Sequence, residues 1–138
     1  MANAQGLLEM RKEGFTATDC DRRKGPYTKD LYGFGDGIGY DKLHLKKKRL
    51  VNFCQEDVRA HIRKYLEGGI DKTTGKAFGP NEHLAHLILE GFDLYIYSFV
   101  LRKMRNKDGK LLDRSVYYCR KWKALLSPQG QVSFEQEN

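Results

Sequence analysis

The sequence predicts an α/β fold with a mixed central sheet, in which parallel and antiparallel strands are combined. Residues 31–40 and 49–55 have strand patterns on either side of a lysine-rich turn, which predicts an antiparallel hairpin. An amphipathic helix over residues 57–67 then separates this hairpin from residues 92–101, which are apolar on both faces. A strand, a helix and a buried strand in that order predict a parallel pair joined by a helical crossover.

The composition fits one globular domain, because 40% of the 138 residues are hydrophobic and can form an ordinary core. We assign residues 1–126 to this domain and residues 127–138 to a C-terminal hairpin or tail. The formal charge of +7 is concentrated in three short runs, at residues 46–49, 102–105 and 120–123. Such a charge favours a polyanionic partner, most often nucleic acid. Solvated lysines and arginines on an ordinary protein surface are the alternative.

Cysteine usage and hydropathy indicate a cytoplasmic protein. Cys20, Cys54 and Cys119 are widely spaced and odd in number, which is typical of reduced, buried thiols. No apolar run approaches the roughly 20 residues that span a bilayer, and the N-terminus lacks the order of a signal peptide. We therefore expect no membrane partner.

The first elements are a helix over residues 4–13, ended by Gly14, and a strand over residues 15–21. A basic loop at residues 22–26 follows that strand. In residues 31–40, the glycines at alternate positions leave one face of the strand bare, so that another element can pack closely there.

Asp36 is the residue of this strand that most needs an explanation. A buried carboxylate costs several kcal/mol unless it is paired, hydrogen-bonded or bound to a metal. Since Phe34 and Ile38 share its face, Asp36 indicates a functional site. An aspartate in a turn or at a strand end is the structural alternative.

The hairpin register places two further polar residues beside Asp36. If the turn is centred near His44, Asn52 lies opposite Asp36. Cys54 then shares their face, next to Asn52 and opposite Phe34.

The helix over residues 57–67 exposes a basic side that includes Arg59, Arg63 and Lys64. Two arginines four residues apart repel each other, so either a phosphate lies between them or Glu56 and Glu67 neutralise them. A loop over residues 70–80 and a short helix over residues 81–90 follow.

The chain closes with the central strand at residues 92–101, a turn at residues 106–109 and a strand over residues 111–122. Residues after 126 form a short hairpin or a tail. Basic runs interleaved with Tyr117, Tyr118 and Trp122 are typical of nucleic-acid binding.

Residues 7–122 resemble the small PD-(D/E)XK nucleases, particularly the resolvase-like and restriction-like proteins of phages. The strongest similarity is Lys-Asp-Leu-Tyr-Gly-Phe-Gly-Asp at residues 29–36, which resembles the motif "RDLFGFxD". Residues 57–64 similarly resemble the family's "VxARIRK" helix. The resemblance implies a restriction-endonuclease-like core: a helix, a three-strand antiparallel meander, a crossover helix and further strands.

By this resemblance, Asp36 matches a metal ligand, Asp30 the preceding acid and Asp21 an additional acid. The implied site holds Mg²⁺ or Mn²⁺ on Asp36, Asp21 and Asn52, with Cys54 as the remaining catalytic position. The implied activity is hydrolysis of phosphodiester bonds in DNA, including branched DNA of the Holliday-junction type.

The main departure from the family is at strand residues 52–54, where the usual Glu-x-Lys is Asn52-Phe53-Cys54. A thiol is a poor ligand for Mg²⁺ and supplies no positive charge. Loss of such a charge commonly costs on the order of 10²-fold in rate. Arg59, Arg63 or Lys64 could restore the cation.

Three interpretations therefore stay open: a metal-dependent nuclease, a nuclease fold without cleavage, and a purely structural Asp36 cluster. The second would bind nucleic acid, or bind a host protein as a phage factor in the host cytoplasm. Family members of this kind often act as homodimers. The predicted nucleic-acid-binding residues are Arg22, Arg23, Lys24, Lys29, Arg59, Arg63 and Lys64.

Overall fold

A computed structural model describes residues 2–20, 22–24, 27–29, 31–32, 34–41, 47–55 and 57–137. The helices are α1 (Ala2–Lys12), α2 (Val58–Glu67) and α3 (His83–Leu89). The strands are β1 (Phe15–Asp19), β2 (Arg22–Lys24), β3 (Tyr27–Lys29), β4 (Gly37–Asp41), β5 (Lys48–Cys54), β6 (Gly69–Ile70), β7 (Ala77–Phe78), β8 (Phe92–Arg105), β9 (Leu111–Leu126) and β10 (Val132–Glu137).

The central sheet has six strands in the order β1-β4-β5-β8-β9-β10. Strand β5 runs parallel to β8, whereas every other neighbouring pair in this sheet is antiparallel. Helices α2 and α3 lie in the connection between the two parallel strands. The α/β class, the mixed sheet and the helical crossover predicted from the sequence are therefore confirmed.

Each face of the sheet buries its own apolar cluster, because side chains alternate along the strands. On one face, Leu94 and Ile96 of β8 pack with Tyr65 of α2 and Leu84 of α3. We call it the α2 face. On the other face, Tyr95, Tyr97 and Phe99 pack with Met10 of α1 and Phe15 of β1. We call that the α1 face.

The approach of α1 to the sheet depends on glycine on both sides of the contact. A Cβ on Gly37 of β4 would lie 2.6 Å from Cζ of Phe53, and one on Gly6 of α1 would lie 2.3 Å from Cδ1 of the same ring. Because neither glycine has a side chain, the Phe53 ring can occupy the space between α1 and β4. The close packing predicted for the glycine-bearing strand is therefore confirmed at Gly37.

Several predicted boundaries are wrong. The strand predicted over residues 31–40 begins only at Gly37, because Leu31 and Gly35 instead pair with each other, with the Gly35 amide donating to the Leu31 carbonyl oxygen at 2.9 Å. Tyr32 in this turn has φ 54°, in the left-handed region. The strand predicted to reach residue 21 ends at Asp19.

Two predicted loops contain short hairpins instead. The basic segment after β1 forms the β2–β3 pair, with Arg22 opposite Lys29. The segment at residues 70–80 contributes to the β6–β7 pair, in which Ile70 lies opposite Ala77. Backbone pairing of this kind has no apolar periodicity, so the sequence pattern did not indicate it.

The last three strands form a meander in which β8 and β9 extend beyond their neighbours. The predicted turn at residues 106–109 is confirmed, with the Gly109 amide donating to the Asn106 carbonyl oxygen at 3.0 Å. β5 pairs with β8 only as far as Ser98, and β10 pairs with β9 only from Lys121 onward. Residues 99–120 therefore leave the sheet as a two-stranded ribbon, which we call the basic ribbon. Residues 127–138 include β10, the outermost strand.

Candidate functional site

Asp36 and Asn52 meet as the hairpin register predicts. Gly37 pairs with Val51 and Tyr40 with Lys48, so the hairpin is centred on position 44. One step beyond the first pair, the Asn52 Nδ2 donates to Asp36 Oδ2 at 3.1 Å. Both residues are buried, with 7% and 3% of their surface exposed. The predicted juxtaposition is confirmed.

The Asp36 carboxylate is held by hydrogen-bond donors. Its Oδ2 also accepts from the Phe53 backbone amide at 2.7 Å. The second hydrogen of Asn52 Nδ2 goes to the Phe34 carbonyl oxygen at 3.0 Å. Hydrogen bonds to a carboxylate compensate part of its desolvation, so these donors stabilise the buried aspartate.

One polar atom of the pair remains unsatisfied. Asn52 Oδ1 is buried and has no hydrogen-bond partner among the residues that the structure describes. An amide oxygen beside a carboxylate is a hard donor of the kind that Mg²⁺ prefers. Asp36 and Asn52 therefore offer two oxygen-bearing side chains at one position.

In the described part of the chain, the other predicted site residues add no metal ligand to Asp36 and Asn52. Cys54 is 3% exposed and belongs to the apolar cluster of the α2 face, together with Phe34 and Leu50. Asp21 and Asp30 lie outside the described residues. Within the described ranges, no group of three or more His, Cys, Asp or Glu side chains is arranged to hold a metal ion. One carboxylate and one amide do not fit a divalent cation by themselves.

The predicted nucleic-acid-binding residues fall into two groups. Arg59, Arg63 and Lys64 are exposed on α2, which begins directly after β5. The Asp57 side chain caps this helix by accepting from the Arg59 amide at 3.0 Å. Glu56, proposed as a neutralising acid, lies outside the described residues. The other group is on the β2–β3 hairpin, of which only the backbone is described: Arg22, Arg23, Lys24 and Lys29.

A polar network on the α1 face was not predicted. The Arg49 guanidinium lies between the rings of Phe15 and Tyr95, 4.3 and 4.0 Å from their centroids. It donates to Glu13 at 3.1 Å and to the Tyr97 hydroxyl at 2.9 Å. Tyr97 in turn donates to Glu13. Burial is the main reason that the pKa of Tyr97 is raised above its ordinary value.

A second cation of the α1 face is also neutralised. Lys121 of β9 lies 3.0 Å from Glu9 of α1 and 3.4 Å from Glu13, which directly follows α1. Arg49 and Lys121 therefore bind the C-terminal end of α1 and the residue after it to the sheet, and their charges are already compensated. No contiguous motif predicts this network, since Glu13 and Lys121 are far apart in sequence.

The basic ribbon carries the largest group of exposed charges in the meander. Residues 99–120 contain seven basic and two acidic residues, and Arg102, Lys103, Arg114 and Arg120 are exposed. Tyr117 and Tyr118 are 42% and 51% exposed. The sequence indicated these basic runs, but not that the strands carrying them leave the sheet.

No known protein was found to be similar to this chain. No family model matches it, and neither a curated protein nor a solved structure does. No helix in the described ranges is long and apolar enough to cross a membrane.

Proposed function

We propose that this protein binds nucleic acid through the basic ribbon. The observation that carries the proposal is that residues 99–120 extend beyond the sheet and display a large excess of positive charge. A two-stranded ribbon exposes both faces, so its cations can reach a phosphate backbone without any movement of the domain. Neutralising phosphates releases counterions and supplies most of the sequence-independent affinity for nucleic acid.

The contrast with the other cations supports this assignment. Arg49 is paired with Glu13, and Lys121 with Glu9 and Glu13. Arg102 and Arg114 of the ribbon make no ion pair with a described residue and are exposed. Since an ion pair must break before its cation can bind a phosphate, the ribbon arginines are the more effective ligands.

The test is a binding titration of labelled nucleic acid at several salt concentrations. We expect the double variant Arg102→Gln/Arg114→Gln to bind about 10-fold more weakly and to show a flatter salt dependence, because each lost phosphate contact lowers the slope by roughly 0.9. The matched control is Lys72→Gln/Lys76→Gln, which removes two exposed charges near the β6–β7 pair. Equal weakening by both variants, or no binding by the unmodified protein, would contradict the proposal.

A metal-dependent nuclease with a restriction-endonuclease-like core is the second candidate. It is supported by the buried Asp36–Asn52 pair and by Asn52 Oδ1, which accepts no hydrogen bond from a described residue. It requires further oxygen ligands, for which Asp21 is the candidate from sequence. A bound Mg²⁺ would supply a polarised phosphate and an activated water. The hydrogen bond between Asp36 and Asn52 fixes the positions of their side-chain oxygens, and burial keeps water away from them. Neither residue supplies a positive charge.

This second candidate is tested by incubating supercoiled, linear and four-way-junction DNA with the protein in Mg²⁺ or Mn²⁺. Cleavage that is lost in Asp36→Asn but kept in Asp71→Asn, at an exposed position, would establish the nuclease. Binding without cleavage would contradict the nuclease and support only the nucleic-acid binding by the basic ribbon. Capture of a host protein remains a prediction from the sequence resemblance.

A further inference from the structure

We propose that the basic ribbon docks on double-stranded DNA through one of its two faces, the one that carries Arg102, Tyr118 and Arg120. This inference rests on the proposed nucleic-acid binding and specifies both the surface and the class of partner. We call this surface the arginine face. The opposite surface, which carries Leu101, Lys103 and Tyr117, we call the lysine face.

The strand register defines the two faces. Ser98 pairs with Arg120, Val100 with Tyr118, and Arg102 with Val116, so these residues share one face. That face continues the α2 face, because Ile96 and Trp122 form the preceding pair. The lysine face pairs Leu101 with Tyr117 and Lys103 with Ser115, and it continues the α1 face.

The cations at the base of the ribbon differ in how far they are neutralised. On the side of the lysine face, Glu9 and Glu13 neutralise Lys121. On β10, Glu135 pairs with Lys123 and Glu137 with Lys121, again on this side of the sheet. Arg120, on the arginine face, is exposed and makes no ion pair with any described residue. At the base of the ribbon, the uncompensated charge therefore lies on the arginine face.

The arginine face also lies beside the Asp36–Asn52 pair. Cys54, Ser98 and Arg120 are successive cross-strand neighbours, and Asn52 belongs to the adjacent row. With neighbouring strands roughly 4.8 Å apart, the backbones at Cys54 and Arg120 are about 10 Å from each other. Arg59 and Arg63 are exposed on α2, the helix that packs on this same side. A duplex seated on the arginine face would thus lie over the predicted site.

The positions of the tyrosines favour a duplex over a single strand. Binding of single strands by stacking requires aromatic rings that lie along one surface. Tyr117 and Tyr118 are consecutive in an extended strand, so their rings lie on opposite faces of the ribbon. The major groove of B-form DNA admits a two-stranded β-ribbon, whereas the major groove of A-form RNA is too deep and narrow for side chains to read. Arginine suits this groove, because its planar fork can bind phosphate or a guanine edge with two hydrogen bonds.

The experiment compares two variants that each remove two positive charges from the ribbon. Arg102→Gln/Arg120→Gln alters the arginine face, and Lys103→Gln/Lys107→Gln alters the lysine face and the turn. The probes are a duplex DNA of about 20 base pairs, roughly two helical turns, the same sequence as duplex RNA, and one of its DNA strands. Unchanged melting temperatures would show that both variants are folded, since all four side chains are exposed.

We expect the arginine-face variant to lose about 30-fold in affinity for duplex DNA and the lysine-face variant only about 3-fold. We also expect the unmodified protein to bind duplex DNA more tightly than it binds duplex RNA or the single DNA strand. Equal losses in both variants, with binding retained in the unmodified protein, would overturn the choice of face but not the proposed function. Equal or tighter binding of RNA or of the single strand would overturn the choice of partner. Absence of binding to all three probes would overturn both proposals.

Discussion

The β8–β9 hairpin has two halves that are continuous in hydrogen bonding but differ in burial and charge. In the half nearest the domain, six consecutive residues of β8, from Leu94 to Phe99, are buried. In the outer half, β8 from Leu101 to Arg105 is exposed except for the partly buried Met104. Six of the seven basic residues of the ribbon lie between positions 101 and 114.

The difference shows that one pair of strands belongs to the core at one end and is exposed at the other. The inner half is flanked by β5 and β10, and helices pack on both of its faces. Its buried side chains therefore contribute to folding stability. In the described structure, the outer half pairs only within itself, so its residues can change with little effect on the domain. The boundary lies at the Phe99–Cys119 pair, where the ribbon leaves the sheet.

The largest expected effect is the difference in stability lost when a leucine is truncated in the inner half and in the outer half of the hairpin. Leu94 is fully buried, whereas 56% of Leu101 is exposed. Leu94→Ala should lower the free energy of unfolding by about 3 kcal/mol, and Leu101→Ala by less than about 0.5 kcal/mol. Denaturant titrations of both variants measure this difference. Similar losses would mean that the ribbon is part of the cooperative core, and the comparison would fail.

The next largest effect is the change in the free energy of unfolding when the Asp36 carboxylate is removed from the α2 face. Asp36 Oδ2 accepts two hydrogen bonds, so Asp36→Asn should lower the free energy of unfolding by about 2 kcal/mol through loss of the charge-assisted bonds. Thermal and denaturant unfolding without divalent ions measure this change. An increase in stability would instead show that the carboxylate is kept for a ligand at the expense of the fold.

A smaller effect is expected at alkaline pH, at the boundary of the two halves. Burial, with a contribution from the nearby Glu9 carboxylate, raises the pKa of Cys119 to about 12 from a reference of 9.0. The folded state therefore holds the proton more tightly than the unfolded state between these values. The stability that depends on this proton should be retained below pH 9 and should fall progressively as the pH rises from 9 towards 12; because the thiol is partly exposed, solvent screening keeps the loss small.

The control for this pH dependence is Cys119→Ala, measured by denaturant titration at pH 8 and at pH 10. It should be less sensitive to this pH change than the unmodified protein, although the buried tyrosines Tyr95 and Tyr97 add their own dependence at higher pH. An identical decline in both proteins would show that Cys119 is accessible to solvent and that the ribbon begins closer to the domain.

The smallest expected effect is the stability change of Arg102→Gln. Arg102 is exposed and makes no ion pair with a described residue, so the free energy of unfolding should change by less than about 0.5 kcal/mol. A thermal melt at low and at high salt measures it. A larger loss would show that the arginine stabilises the ribbon, and weaker DNA binding by this variant could then not be assigned to a lost contact.

Local patterns in the sequence predicted much of the central sheet. The lysine-rich turn and the alternation in residues 49–55 were sufficient to place Asp36 opposite Asn52, because the register of a hairpin follows from its centre. The apolar run at residues 92–101 likewise predicted a strand covered on both faces. These features depend on neighbouring residues, which a single sequence displays.

Other features depend on residues that are distant in sequence. The strand expected over residues 31–40 begins only at Gly37, because a turn at Tyr32 overrides its alternating pattern. Asn81, next to α3, donates to the Tyr32 carbonyl oxygen at 3.1 Å. The ion pairs of Lys121 with α1 bring the two ends of the chain together. No spacing rule could indicate which of the basic residues these glutamates would neutralise.

The segregation of charge has a consequence for how the protein approaches a partner. Glu9, Glu13, Glu135 and Glu137 gather around α1 and β10, at the base of the basic ribbon, whereas six basic residues lie farther out, between positions 101 and 114. The outer part of the ribbon therefore holds its positive charge away from these carboxylates. In the field of a polyanion, this charge would favour orientations of the diffusing protein in which the ribbon arrives first. Encounters would then be faster at low ionic strength than random collision allows.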